Sequence, residues 1–245
     1  MISKIISHHK ISQVEDLLDK YDKIVIVTHV SPDGDAIGSS LSLYNYLVDQ
    51  GNEVSVIVPN AFPDFLRWIK GAKDILDYEK YPDYSQKLIE EAELIFCLDF
   101  NVPKRIHHLA PLVEAAKAKK VMIDHHPDPS DFCDVVISYP QISSTSEMIF
   151  RLICRMGDFE VMSKASAEAI YTGMMTDTGG FTYNSNNAEI YYIIGELLKK
   201  GIDKDQIYSN VYNNYSVDRY RMLGYTLSEK MKIYSDYNSA LIWLT

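Results

Sequence analysis

The sequence has no run of about 18 apolar residues of the kind that spans a bilayer, so a membrane span is excluded from the expected architecture. The N-terminus, Met1 to His9, has no apolar stretch of the type a secretory signal carries. There are three cysteines, Cys97, Cys133 and Cys154, without metal-ligand spacing. Two of them lie in apolar segments and read as buried free thiols, and a reduced cytoplasmic compartment is the expectation. No basic run is present, and 34 acids outnumber 24 bases for a formal net charge of −10. Long nucleic-acid duplexes are held mainly by Lys and Arg on phosphates. A duplex-tracking groove is therefore excluded, while a small anionic substrate is allowed if bound cations reverse the local charge. There is no internal repeat and no low-complexity segment.

What is present is an alternation of strand-like and helix-like segments. Lys23–Thr28, Leu94–Leu98 and Lys120–Ile123 are unbroken apolar runs, the pattern of strands buried on both faces. Val54–Val58 adds another strand and Cys133–Ile137 a short one. Helices are expected at Ala36–Gln50, ended by Gly51, at Pro82–Glu91, around Ile106–Ala118, and at Ser144–Met156, Ser163–Met175, Ala188–Lys200 and Asp205–Lys232. Ser12 with Glu15 reads as a capping box opening a short helix. Asn238–Leu244 reads as a further strand. Strands alternating with helices predict an α/β fold, a parallel sheet flanked by helices. The expected organisation is a catalytic domain over 1–187, a helical connector over 188–232, and over 233–245 the beginning of an incomplete C-terminal substrate-binding domain.

Three of the buried strands run into metal-ligand residue types. The first continues into His29, Asp33 and Asp35, the third reaches Asp99, and the fourth reaches Asp124, His125 and His126. In open α/β sheets, ligands bind at the carboxyl ends of strands, so these residues are expected to converge on one edge. Asp177 lies at a helix end beside Gly179 and Gly180. An isolated Asp after a strand is ordinary turn chemistry; three such ends together point to a site. Carboxylates and imidazoles suit manganese, with magnesium and cobalt as alternatives. There are too many ligands for one open site, and two divalent cations about 3.5–4 Å apart can clamp a phosphoryl group. One carboxylate must then bridge the pair.

Four motifs in order resemble the DHH phosphoesterases: His29-Val-Ser-Pro-Asp33-Gly-Asp35; Asp99 with Arg105 six residues on; Asp124-His125-His126; and Thr176-Asp177-Thr-Gly-Gly180. The resemblance implies that His29, Asp33 and Asp99 hold one metal and that Asp35, Asp99, His125 and Asp177 hold the other, with Asp99 bridging. It implies that His126 faces the substrate phosphate as donor or general acid, and that Asp124 orients a neighbouring imidazole. Gly34 is expected to let the backbone bend between two ligands. Arg105 is a further candidate beside the substrate, and Ser143, Ser144 and Thr145 resemble a family position near it, although Ser144 with Glu147 is also a capping box and capping is the preferred reading. The family usually carries a smaller C-terminal domain with a glycine-rich, histidine-containing phosphate-binding stretch, and this sequence has no such stretch.

The expected activity is hydrolysis of phosphoester bonds in small nucleotides, with 3′-phosphoadenosine 5′-phosphate and short single-stranded RNA as candidate substrates. The rivals are an inorganic pyrophosphatase or exopolyphosphatase, a cyclic-dinucleotide phosphodiesterase, and a catalytically silent binding module on the same scaffold. The tyrosines from Tyr208 to Tyr225, among them Tyr212, Tyr215 and Tyr220, read as helix packing or as the interface of a homodimer rather than as a base-stacking surface.

Overall fold

The computed structural model describes residues 3–214 and 216–243. After helix α1 (His8–Leu18), the chain runs through β1 (Lys23–Thr28), α2 (Gly34–Gln50), β2 (Glu53–Val58), β3 (Leu76–Asp77), α3 (Pro82–Glu91), β4 (Leu94–Leu98), α4 (Ala110–Ala115), β5 (Lys119–Asp124) and β6 (Val135–Ser138). These six strands form one sheet in the order β3-β2-β1-β4-β5-β6. Every pairing is parallel, with Ile24 opposite both Val54 and Leu94 and with Leu98 opposite Ile123.

The apolar runs are explained by burial on both faces. Ile24, Ile26, Phe96, Leu98, Val121 and Ile123 point to one side, into a core completed by later helices. Val25, Val27, Ile95, Cys97 and Met122 point to the other, against Ile89 of α3 and Val113 of α4. Strand side chains alternate between faces, so a run with no polar break is what a middle layer requires. Fully burying side chains of this size contributes roughly 1.5–3 kcal/mol each.

The second half of the chain supplies α5 (Thr145–Met156), α6 (Lys164–Asp177), α7 (Ala188–Lys199), α8 (Lys204–Tyr212) and α9 (Val217–Tyr225), then an antiparallel pair, β7 (Met231–Tyr234) and β8 (Ser239–Ile242). Ile190, Ile193 and Leu197 of α7, with Ile207 and Val211 of α8, belong to the same core as the sheet. Packing therefore continues without a break past residue 187. No buried residue occurs in α9, and Ile233, Leu241 and Ile242 of the hairpin are exposed.

Several expectations are corrected. Ser12 lies inside α1, which is capped by Ser7 accepting from the Lys10 N–H. The helix expected around Ile106–Ala118 is split. Residues Pro103–Leu109 form 3₁₀ turns in which His107 has φ 45°, and α4 begins only at Ala110. Pro111 lacks the N–H that would bond the carbonyl four residues earlier, so the helix restarts there. The expected helix Asp205–Lys232 is broken after Tyr212, and its end is strand β7. Tyr208 and Tyr212 pack ring against ring at 4.8 Å, and Tyr215 lies outside the described residues. Among the described residues, no helix is long and apolar enough to cross a membrane.

Candidate metal centre

Strand order reverses between β1 and β4: one half of the sheet grows from β1 through β2 to β3, and the other from β4 through β5 to β6. A crevice opens at the carboxyl ends of strands where such a reversal occurs. His29 follows β1 directly, Asp99 follows β4, Asp124 ends β5, and His125 and His126 come next.

The segment after β1 is a tight loop. Ser31 has φ 53° and its N–H donates to Asn60 Oδ1 at 2.7 Å, while Val30 N–H donates to the Arg105 carbonyl at 2.8 Å. Arg105 thus braces the loop through its backbone. Asp33 then caps α2, its Oδ1 accepting from the N–H groups of Asp35 and Ala36 at 3.0 Å. The remaining valence of that carboxylate faces His29, whose Nε2 lies 3.9 Å from Asp33 Oδ1 and 3.4 Å from Asp99 Oδ2. His29 Nδ1 lies 2.8 Å from the Val30 carbonyl. A carbonyl only accepts, so Nδ1 is the donor there and Nε2 is the ring atom directed at the two carboxylates.

His125 repeats the device. Its Nδ1 lies 3.3 Å from the Ile142 carbonyl, and its Nε2 lies 3.4 Å from Asp177 Oδ2, 3.5 Å from Asp99 Oδ1 and 4.0 Å from Asp35 Oδ2. Asp99 therefore stands between the two imidazoles with one oxygen toward each. It is placed there by a backbone turn at the end of β4, where Asp99 takes φ 64°, a left-handed conformation that Asp tolerates better than most residues.

Asp35 and Asp177 come together because α2 and α6 approach very closely. A Cβ on Gly34 would sit 2.3 Å from Thr176 Oγ1, and one on Gly173 would sit 1.9 Å from Ser146 Oγ and 2.8 Å from Asp35 Oδ1. The expected bend at Gly34 is replaced by a requirement for space: this glycine is the first residue of α2 and has no positive φ. Asp35 is fully buried and accepts from the N–H groups of Thr145 at 2.6 Å and Ser146 at 2.9 Å, at the start of α5.

The electrostatics describe a site built for cations. Burial first, then the neighbouring carboxylates of Asp35, Asp33, Asp124 and Asp177, push the Asp99 carboxyl well above its usual range. Burial, then Asp35 and Asp33, lift Asp177 to about 8. Asp35 is also raised by burial, partly offset by His125. The clustered carboxylates repel one another unless positive charge lies between them. Three sets of ligand atoms lie within 4.8 Å of one another: His29, Asp33 and Asp99; Asp35, His125 and Asp177; and Asp99, His125 and His126. The donor set and its spacing fit two cations sharing Asp99.

His126 is held differently. Asp124, wholly buried, accepts both from the His126 backbone N–H at 2.9 Å and from His126 Nδ1 at 2.8 Å. With Nδ1 committed to Asp124, the free atom of the ring is Nε2, on a side chain about a third exposed. Of its two readings, Ser144 takes the capping one: its hydroxyl caps α5 by accepting from Glu147 N–H at 3.1 Å and is fully buried. Thr145, one of the three residues at that position, turns toward the site instead, its hydroxyl donating to Asp99 Oδ1 at 2.9 Å.

The model of the DHH family N-terminal domain matches residues 23–174. The chain belongs to the DHH family. Among relatives of this DHH chain, the bifunctional oligoribonuclease and PAP phosphatase NrnA of Thermus thermophilus is 33% identical over 179 residues, 73% of this chain and 50% of that protein. The crystal structure of an exopolyphosphatase-related protein from Bacteroides fragilis superposes with a TM-score of 0.96 at 62% identity, covering 98% of this chain and 71% of that one. Exonuclease RecJ bound to manganese, at 16% identity and a TM-score of 0.51 over 81% of this chain and 49% of that one, shares the fold. The DHH chain spans about half the length of the curated relatives it matches.

Proposed function

We propose that this chain carries a two-metal phosphoesterase site acting on phosphoester bonds of small nucleotides or short oligoribonucleotides. The observation that carries the reading is the position of Asp99, with one oxygen toward His29 and the other toward His125. In this reading, His29, Asp33 and Asp99 would hold one divalent cation, and Asp35, Asp99, His125 and Asp177 the other, with manganese favoured over magnesium or cobalt by the imidazoles. When bound, such a pair supplies Lewis-acid neutralisation of phosphoryl charge and a water of lowered pKa.

The chain's own groups do the rest. The Val30 and Ile142 carbonyls fix each imidazole so that Nε2 points inward, the usual support for a metal-binding histidine. The Thr145 hydroxyl and the first N–H groups of α5 hold the carboxylates of Asp99 and Asp35 in place. His126, oriented by Asp124, is positioned to give a proton from Nε2 to the departing oxygen. The oligoribonuclease and PAP phosphatase activities named for the Thermus relative favour nucleotides as substrates. A second reading, polyphosphate hydrolysis, is favoured by the name of the 62% identical Bacteroides protein. Localisation in the cytoplasm and a homodimeric state belong to the proposal too.

The test is turnover of a diribonucleotide, of 3′-phosphoadenosine 5′-phosphate and of tripolyphosphate, each with Mn²⁺ and with excess chelator. Mn²⁺-dependent release of mononucleotide or phosphate from the first two supports the proposal. Hydrolysis of tripolyphosphate alone would replace the substrate class. No Mn²⁺-dependent turnover of any of the three would overturn it.

A further inference from the structure

A cavity of about 610 Å³ lies where the strands begin, not where they end, and its lining includes Glu15, Asp16, Asp19, Asp22 and Asp158. So many like charges repel a phosphate, and the space lies across the sheet from the metal ligands.

A smaller cavity, about 220 Å³, is lined by the neighbours of Ile142, the residue whose carbonyl faces His125, and by Ile190. One wall is the segment leading into α5. Gln141 and Ser143 line it, and they flank Ile142, whose carbonyl holds His125. The other wall is the loop that leaves Asp177, where Asn184, Asn186 and Asn187 line the space. Glu147 forms the back.

The chemistry of this lining is specific. Glu147 is neutralised, with Oε1 accepting from Arg151 Nε at 2.9 Å and Nη2 at 2.6 Å, and Oε2 from the Ser143 hydroxyl at 2.6 Å. Among the described residues no Lys, Arg or His lines the cavity, so it lacks the positive charge that favours a phosphate. The side-chain amides of Gln141, Asn184 and Asn186 make no hydrogen bond within the described residues, leaving donors and acceptors free around one space. The loop carrying two of them is pinned from within: Thr178 Oγ1 accepts from Phe181 N–H at 3.1 Å, and the buried Ser185 donates to the Phe181 carbonyl at 3.0 Å. These amides are therefore presented by a fixed backbone. Cavities that take a whole drug-sized ligand run to about 300–1,000 Å³, so this one has room for a single ring system.

We infer that this amide-lined cavity receives the nucleobase of a substrate whose phosphate sits at the metal centre. A side-chain amide offers a donor and an acceptor side by side, which matches the paired donor and acceptor on a base edge. Inorganic polyphosphate has nothing to place there. The inference rests on the two-metal reading above and adds to it the part of the substrate that the protein recognises.

The test compares AMP with ribose 5-phosphate, which lacks only the base. Binding of both is measured by calorimetry with Mn²⁺ present, for the wild-type chain and for Gln141→Ala combined with Asn186→Ala. Both residues are exposed and outside the metal centre, so the fold should hold, and circular dichroism checks that. Asn184 is left alone because its φ of 48° would strain an alanine, and Asn187 because it caps α7. Wild type should bind AMP about 10-fold more tightly than ribose 5-phosphate, the scale of one or two neutral hydrogen bonds. The double variant should bring that ratio close to one without changing the ribose 5-phosphate affinity. Mn²⁺-dependent hydrolysis of bis(p-nitrophenyl) phosphate is followed alongside and should be equal in both proteins. A wild-type ratio near one, or a ratio that survives the double substitution, overturns the inference. If the nitrophenyl ester is still hydrolysed in that case, the metal reading stands and only the base site is lost. If the ester is not hydrolysed and neither phosphate binds, both fail together.

Discussion

Gly38 is the residue on which the metal centre most depends without touching it. A Cβ at that position would lie 2.7 Å from the Ala169 carbonyl oxygen, 2.8 Å from Gly173 N and 2.9 Å from Gly173 Cα. All three are backbone atoms of α6, so no rotamer change relieves the clash. Gly38→Ala gains about 1 kcal/mol of helix propensity but incurs overpacking of about 1–3 kcal/mol, at the upper end because backbone must move. The expected net loss is about 1–2 kcal/mol, or about 2–8 °C in Tm for a chain of this size. The geometric consequence is larger than the energetic one. Restoring ordinary contact needs the helices to part by several tenths of an ångström, whereas metal–ligand distances tolerate about 0.2 Å. Since α2 carries Asp35 and α6 carries Asp177, Mn²⁺ affinity should fall about 10-fold or more. Gly195→Ala in α7 is the control: it makes the same chemical change inside a helix, with nothing within 4 Å of the new Cβ, and should match or exceed wild type in Tm. Differential scanning fluorimetry and Mn²⁺ calorimetry on both variants decide. If Gly38→Ala behaves like Gly195→Ala in both assays, the close approach of α2 and α6 does not set the ligand geometry.

Other outcomes follow from the same site. The folded-state pKa of Asp177 is raised to about 8, so in chelator its contribution to stability is greatest below the unfolded value near 3.8 and is lost as pH rises towards 8. Asp177→Asn should therefore raise the metal-free Tm at pH 8 and remove the gain in Tm that wild type shows on adding Mn²⁺; a lower metal-free Tm would contradict the assigned repulsion. Asp99→Asn should abolish turnover and lose bound manganese by elemental analysis. His126→Ala should cut turnover about 10²–10⁴-fold, the usual range for a general acid, with both metals retained; metal loss would place His126 on a cation. Arg151 is buried and pairs with both Glu147 and Glu189, so Arg151→Ala should destabilise the fold by about 3–5 kcal/mol as measured by urea unfolding, and a loss under 1 kcal/mol would show that the network is solvated.

The sheet was legible in the sequence because β1, β4 and β5 are buried on both faces, and such strands leave an unbroken apolar run. The clustered Asp and His side chains were legible because most of them follow those runs within a few residues, whereas Asp177 ends helix α6. What could not be read was set by contacts between distant segments. Asp35 accepts from the start of α5 across 110 positions, and no local pattern marks that contact. Gly38 and Gly173 look like ordinary helix interruptions until the helices are laid against each other. The cap of α1 was misplaced because Ser12 and Glu15 have the right spacing for a capping box, while Ser7 precedes two histidines that carry no helix signal. The strand β3, two residues long, is too short to leave a periodic pattern.

The reversal of strand order between β1 and β4 also has a consequence for how the molecule assembles. The ligand set draws on four separated stretches of chain, around residues 29–35, 99, 125 and 177, and no stretch alone supplies a complete set. Early in folding, a cation finds at most the three side chains of the first loop. The long-range pairing that completes the set is the slow part of building a parallel sheet. A metal bound only at the end cannot template that pairing; it can only bar the way back. Manganese is thus expected to slow unfolding while leaving the refolding rate unchanged.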